Sequence, residues 1–445
     1  MTKASLSAVP SILNGTPAAQ SRTDAAPSAF FRAEEQLLLA CAQVDVSCNT
    51  ADRIRALVRN NIDWEFVIRK ADEHFITPLL YRGLSSIEFE SMPGTARKLL
   101  QQRFYAHAKR SLFLTGELLR IVSLLDGEGI RAVPYKGPTL AATAYNNIGL
   151  RSFIDLDILV KKKDVLRAKR LLTSSGYGAH RRRTDAQEAV RVRSRAEKDI
   201  VLVREDGATS VELHWAVASS LLFPIGGEQL WERLQEVKLG QATVSCLCPE
   251  DMLLVLCVHG AKHFFKRLEW ICDIAQTVNA NPDISWSDVI ERATKSGIRR
   301  MLFFGLIMAS DLLDVDLDER VKSEMRQDAE ARALALRAEA LLFTEVNSTA
   351  KMFSRDSHRI GLRDSKTARM RLRLSYLADY ARALMKPNEE DRKRMSLPRF
   401  LSFVYILLRP IRLMRTYGAG LSSGRRQAAA RQAESSFPVR PGSLE

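Results

Sequence analysis

The hydrophobic period of this chain changes twice, and the two changes divide it. From Phe30 to about Asp126, apolar residues recur every three or four positions, as in "ADRIRALVRNN" and "DWEFVIRKADEHFITPLLYRGL". That is the spacing of amphipathic helices. "ARKLLQQRFYAHAKRSLFLTGELLRIVSLLDGEG" reads as one long helix ending at a glycine stop. Between residues 127 and 248 the period shortens. "IRAVPYKG" and "RSFIDLDILV" read as strands, with "PTLAATAYNN" and "KDVLRAKRLLTSSGY" as helices. "KDIVLVRED" and "ATSVELHWAV" flank an Asp-Gly turn and read as a hairpin. From Pro249 to about Met385 the helical period returns. The predicted fold is α/β (α+β): a core with a small mixed sheet, embedded between N- and C-terminal helical regions. Residues 1–29 and 419–445 have little to bury and read as disordered tails.

The chemistry concentrates in "RSFIDLDILV", residues 151–160. Alternation puts Arg151, Phe153, Asp155, Asp157 and Leu159 on one face. Ser152, Ile154, Leu156, Ile158 and Val160 fall on the other. Aspartate fits strands poorly, and two like charges this close repel unless a cation lies between them. A carboxylate pair can hold Mg²⁺ or Mn²⁺ against the phosphates of a nucleotide; the alternative is a solvated strand face. In "TSVELHWAV", Ser210, Glu212 and His214 share one face. If that strand lies beside residues 151–160, Glu212 completes a three-carboxylate cage and can deprotonate an acceptor hydroxyl. Otherwise it is an exposed strand glutamate. In "YKGPTL", Gly137 sits at a strand-to-helix junction, where backbone N–H groups bind phosphate, and Lys136 adds a positive charge.

The net charge of +15 calls for an anionic partner: a nucleotide, nucleic acid or an anionic membrane. No apolar run reaches the roughly 20 residues needed to span a bilayer. Six scattered cysteines without a CxxC pair predict reduced thiols and a cytoplasmic protein. The basic stretch "HRRRTDAQEAVRVRSR", residues 180–195, reads as a surface loop. No aromatic residue is interleaved there to stack the bases of a single strand. His259 and His263 are four apart on a helix, with Lys266, Trp270 and Asp273 continuing along that face. A zinc pair of this kind has glutamate after its first histidine, and here Gly260 follows. The two histidines therefore read either as packed core or as a wall of the nucleotide or acceptor pocket. Residues 386–418 form a basic amphipathic segment in which Phe400 to Leu408 precede Arg409, Arg412 and Arg415. It reads either as a helix docked on the protein or as a peripheral contact with the inner face of the membrane.

Taken together, these segments resemble the nucleotidyltransferase superfamily of the DNA polymerase β type. Its pattern is a glycine-containing turn after a strand, an acid-x-acid strand, and a third acid on a later strand. More narrowly, "PYKGPTLAATAY", "GLRSFIDLDILV", "VELHW" and "HGAKHFFKRLEWICDIA" are similar to an uncharacterised bacterial nucleotidyltransferase family often encoded among polysaccharide or peptide-tailoring genes. The likeness runs from about residue 35 to 415. It implies that Asp155, Asp157 and Glu212 are the catalytic, metal-binding acids and Gly137 the turn glycine. Pro138 stands where the superfamily carries serine or another small residue, and the interval from Gly137 to Asp155 is wider than usual. Lys136 and Arg151 would then supply the phosphate contacts. The implied reaction uses Mg²⁺ and moves a nucleoside monophosphate from an NTP to an acceptor, releasing pyrophosphate. The acceptor is expected to be a small molecule, saccharide or peptide rather than nucleic acid. Two rival readings share the DxD. A nucleotide-sugar glycosyltransferase usually places an α/β unit before that motif, where this chain is helical. A non-catalytic nucleotide-binding or antitoxin-like module has no need of all three acids.

Overall fold

The computed structural model describes residues 31–179, 183–194, 197–217, 228–344, 361–365, 367, 369, 370 and 374. The chain forms two units, residues 1–364 and 365–445, and every element below belongs to the first. The expected tails and the basic segment 386–418 lie outside the described residues.

Helices come first: α1 (Ala33–Cys41), α2 (Cys48–Val58), α3 (Trp64–Glu73), α4 (Thr77–Ser85) and the long α5 (Gly94–Gly127). Local chemistry sets their starts. The Ser47 hydroxyl accepts from Thr50 N at 3.1 Å, and the Asp63 carboxylate accepts from Phe66 N at 3.0 Å, so both helices satisfy an otherwise orphaned N–H. In α5, Leu114, Leu118, Ile121 and Leu125 form one fully buried stripe, the period of a helix face.

The α/β segment follows: β1 (Ala132–Pro134), α6 (Gly137–Tyr145), β2 (Asp155–Val160), α7 (Val165–Ser174), β3 (Tyr177–Ala179), α8 (Asp185–Arg193), β4 (Asp199–Arg204) and β5 (Ser210–His214). Five strands make one sheet in the order β1-β2-β5-β4-β3. The sheet is mixed, because β2 and β5 run parallel while the other neighbouring pairs are antiparallel. Leu156, Ile158 and Val160 of β2 and Val211 and Leu213 of β5 join the α5 stripe and Val165, Ala168 and Leu172 of α7 in one core. Burying each such aliphatic side chain is worth roughly 1.5–3 kcal/mol, which fixes the register: a one-residue slip would turn this face to the acids' side. The opposite parity therefore presents Asp155, Asp157, Glu212 and His214 together.

After α9 (Glu228–Glu232) and the hairpin β6 (Gln235–Leu239)–β7 (Ala242–Cys246), the chain is helical: α10 (Pro249–Lys262), α11 (Leu268–Asn279), α12 (Trp286–Lys295), α13 (Arg299–Leu313), α14 (Glu319–Gln327) and α15 (Ala329–Leu341). Their apolar faces form a second core with α1–α4. No helix among the described residues is long and apolar enough to cross a membrane.

Four local expectations change. The strand begins at Asp155, not Arg151, because its partners end there: β5 starts at Ser210 opposite Asp155, and β1 pairs no farther back than Ile158. Ile154 consequently leaves the greasy face and is 58% exposed. Residues 185–193 of the basic stretch are helix α8, not loop; Thr184 and Gln187 cap it reciprocally, at 3.3 and 3.0 Å. Its residues 180–182 and 195 lie outside the described ones. Lys266, Trp270 and Asp273 do not extend the helix of His259. That helix stops at Lys262, and the chain turns through Phe264 and Phe265, both at positive φ, before α11 begins.

Candidate active site

The parallel pairing of β2 with β5 sets Asp157 directly opposite Glu212. His214, farther along β5, is buried and aims its Nε2 between the two acids. It lies 3.0 Å from Asp157 Oδ1 and 3.2 Å from Glu212 Oε2. The Tyr135 hydroxyl donates to the same Asp157 oxygen at 3.2 Å, and Lys136 Nζ lies 3.4 Å from it. Lys136 Nζ also reaches His259 Nδ1 at 3.5 Å. One buried carboxylate oxygen thus gathers three donors, two from the turn after β1 and one from β5.

These groups line a cavity of about 310 Å³. On one side are Asp155, Asp157, Glu212, Lys136 and Gly137. On the other are His259 of α10, His263 just past its end, and Trp270 and Asp273 of α11, and Phe75 and Arg267 complete the rim. The His259 and His263 rings lie 5.4 and 5.1 Å from the Trp270 ring. The sequence left these histidines between core and pocket wall; both line the cavity.

Gly137 occupies the turn as its position suggested. Its φ is +52°, a conformation that L side chains rarely adopt, and an added Cβ would sit 3.6 Å from the Asp155 carbonyl. The start of α6 is therefore laid against the beginning of β2. The Thr139 hydroxyl donates back to the Lys136 carbonyl at 2.7 Å and steadies the turn.

Arg151, expected at the phosphates, lines the cavity with its guanidinium held by two acids. Its side chain is buried, and its Nε and Nη2 each donate to Asp273 at 2.8 Å. Glu269 Oε1 is 3.5 Å from Nη2, and the Tyr145 hydroxyl donates to Asp273 at 2.7 Å. This fork ties the approach to β2 to helix α11 and closes the back of the cavity.

The charges are tuned in opposite directions. Burial, then the charges of Asp157 and Glu212, push the Asp155 carboxyl up to about 6, against the pull of Lys136 and Arg151. Burial acts the same way on Asp157, but Lys136 and His214 outweigh it and hold that carboxyl well below the usual range. The His214 hydrogen bond holds Glu212 down against burial. Burial, reinforced by Lys136 and His263, depresses His259 far enough to keep its ring neutral. Burial pushes Glu269 up to about 8, opposed by Arg151.

The donor set suits a divalent cation. Asp157, Glu212 and His214 offer ligand atoms within 4.8 Å of one another, and Asp155 adds a carboxylate on the same face of β2. Two polar residues at this centre, Tyr135 and His214, had no role in the reading of the sequence. His214 shares the parity of Glu212, so its side was legible; nothing local to Tyr135 pointed to Asp157.

A family model described as an uncharacterised nucleotidyltransferase matches residues 60–314, more than half of the chain's 445 residues. The match spans every residue of the site described above, in line with the resemblance carried by the motifs. No curated protein matches the chain.

Proposed function

The chain belongs to this nucleotidyltransferase family, and on that premise we propose that it moves a nucleoside monophosphate from an NTP to an acceptor hydroxyl or phosphate with release of pyrophosphate. The observation that carries the reading is the pairing of Asp157 with Glu212 across β2 and β5, on one wall of the cavity that also holds Asp155, Lys136 and Gly137. Asp155, Asp157 and Glu212 would hold Mg²⁺ or Mn²⁺, which when bound neutralises charge on the transferred phosphoryl group.

The chain's own groups supply the rest. Gly137 opens α6, where the N–H groups of the first turn, Pro138 having none, lie at the positive end of the helix dipole and suit a phosphate. Lys136, between Asp157 and His259, is placed to meet phosphate oxygens; Pro138 offers no hydroxyl there. Asp157 is nearly closed off at 7% exposure, whereas Glu212, at 30%, is open to an incoming acceptor. Glu212 is accordingly the acid to accept the acceptor's proton. Trp270, Phe75, His259 and His263 give the facing wall flat surfaces against which a base or an acceptor ring packs. A cavity of about 310 Å³ is in the size range of small-molecule sites. A small molecule, or the end of a saccharide or peptide, is the acceptor class we favour.

The test is mass spectrometry of the full chain incubated with four NTPs, Mg²⁺ and cell extract. An acceptor gaining one nucleotide mass, with pyrophosphate released, supports the reading. That product should vanish with Asp157→Asn. Transfer of a sugar from a nucleotide sugar, without pyrophosphate, would overturn it.

A further inference from the structure

The three-acid pattern leaves His214 unexplained. Its side chain is 1% exposed, yet its Nε2 points at two carboxylate oxygens at once, 3.0 Å from Asp157 Oδ1 and 3.2 Å from Glu212 Oε2. A single N–H shared between two carboxylates makes two compromised hydrogen bonds. A lone pair directed at a cation between the same oxygens makes better use of that point.

The other side of the ring faces a lysine and a carboxylate. Asp199 of β4 pairs directly with His214 across the sheet, and its Oδ2 lies 3.9 Å from His214 Nδ1. Lys198 is hydrogen-bonded to Asp199 and lies 3.5 Å from the same Nδ1. A histidine that ligates a metal through one nitrogen usually donates its other N–H to a carboxylate, which fixes the ring and raises its basicity. Without a cation, Nδ1 accepts from Lys198 and Nε2–H is shared by the two acids; when a cation displaces that proton, Nδ1–H turns to Asp199 and the Nε2 lone pair faces Asp157 and Glu212.

We infer that His214 is a nitrogen ligand of the cation held by Asp157 and Glu212, and that Asp199 is the positioning residue that orients its imidazole. The inference rests on the metal-dependent reading above and changes its chemistry. Carboxylates alone suit Mg²⁺; an added imidazole shifts preference toward a transition metal such as Mn²⁺.

Mn²⁺ alone, added to the purified full chain, provides the test without any turnover. Binding is followed by electron paramagnetic resonance, and electron spin-echo modulation reads nitrogen bonded to the ion. We expect nitrogen modulation in the wild type. It should persist when His259 and His263 are both alanine and disappear in His214→Gln while Mn²⁺ still binds more weakly. Asp199→Asn should weaken Mn²⁺ binding by about tenfold, the low end for a group behind a metal ligand. Circular dichroism confirms that each variant is folded. If His214→Gln fails to fold, ¹⁵N-histidine labelling of the His259→Ala, His263→Ala protein decides instead, because a histidine ligand must convert the ¹⁴N signal. Bound Mn²⁺ with no nitrogen modulation overturns the inference and leaves the carboxylate site standing. Modulation lost with His259 and His263 overturns it too. If the wild type takes up no Mn²⁺, the metal-dependent reading falls with it.

Discussion

Asp155 and Asp157 stand two residues apart on one face of β2, and the fold shifts their carboxyls in opposite directions. Asp157 receives Tyr135, Lys136 and His214 on one oxygen, whereas Asp155 is pushed up to about 6 by burial and its acidic neighbours. From sequence the two acids simply repel, so neutralising either should relieve the same strain. The structure separates them. Asp157→Asn removes the anion on which buried donors converge and should cost about 1–3 kcal/mol in metal-free protein. Asp155→Asn should be neutral or stabilising near pH 7, since an acid raised in the folded state favours unfolding as pH rises through about 4 to 6. Both should abolish nucleotidyl transfer. Thermal melting in chelator, with pyrophosphate release, checks the pair; equal shifts in melting temperature would refute the distinction.

Arg151 gives a prediction about stability. Removing one partner of a buried ion pair costs about 3–5 kcal/mol, and Arg151→Met would leave Asp273 and Glu269 without their fork. The loss should be partly restored in Arg151→Met, Asp273→Asn, because the second change removes an orphaned acid. Urea unfolding of the wild type, Arg151→Met, Asp273→Asn and the double variant gives the coupling. A normally stable Arg151→Met protein with a raised KM for NTP would instead return Arg151 to the phosphates.

Gly137 tests the turn. Alanine there must hold φ near +52°, a strain of roughly 1–2 kcal/mol, or relax and move the start of α6 away from β2. We expect Gly137→Ala to lose at least tenfold in kcat/KM, more than its small drop in melting temperature explains. Unchanged activity would show that phosphate is not bound at this turn.

The two histidines of the facing wall should behave as substrate contacts. His259→Ala and His263→Ala are each expected to lower kcat/KM by about tenfold, or roughly 1.4 kcal/mol of transition-state stabilisation. Melting temperature should barely move. Activity that falls only in step with stability would place them in the core.

How much of this was readable before the fold was known follows from what each feature depends on. The strand Asp155–Val160, the hairpin of β4 and β5, and the shared side of Asp157 and Glu212 rest on alternation and a turn, which are local. Thr184 and Gln187 spell a capping box that was equally local, yet the surrounding arginines masked helix α8. The β6–β7 hairpin turns at Gly240, at φ +63°, inside a segment too short and mixed to stand out. Arg151 could not be placed from sequence, because its partner Asp273 is 122 residues away. For the same reason nothing foretold Tyr135 meeting Asp157. Long-range pairing of charges, rather than periodicity, is what the sequence withheld.

Glu269 supplies the last prediction, and its sign follows from simple counting. It lies on the first turn of α11, 3.5 Å from Arg151 Nη2, but the fork of that guanidinium is already taken up by Asp273. Arg151 then faces two acids in a buried space, and the added pull of Arg267 and Lys136 does not offset the burial of Glu269. Burial therefore favours the neutral form of Glu269 up to about pH 8, whereas the ordinary glutamate value is 4.5. Between those limits the folded protein holds a proton that the unfolded chain releases, so stability falls as pH rises through the window and levels off above it. Glu269→Gln resembles the protonated acid at every pH. Its melting temperature should match the wild type near pH 5 and exceed it increasingly toward pH 8. Differential scanning fluorimetry at pH 5, 6.5, 8 and 9 reads the divergence. If the glutamine protein melts lower by the same margin throughout, Glu269 is ionised in the fold and serves as a second carboxylate for Arg151.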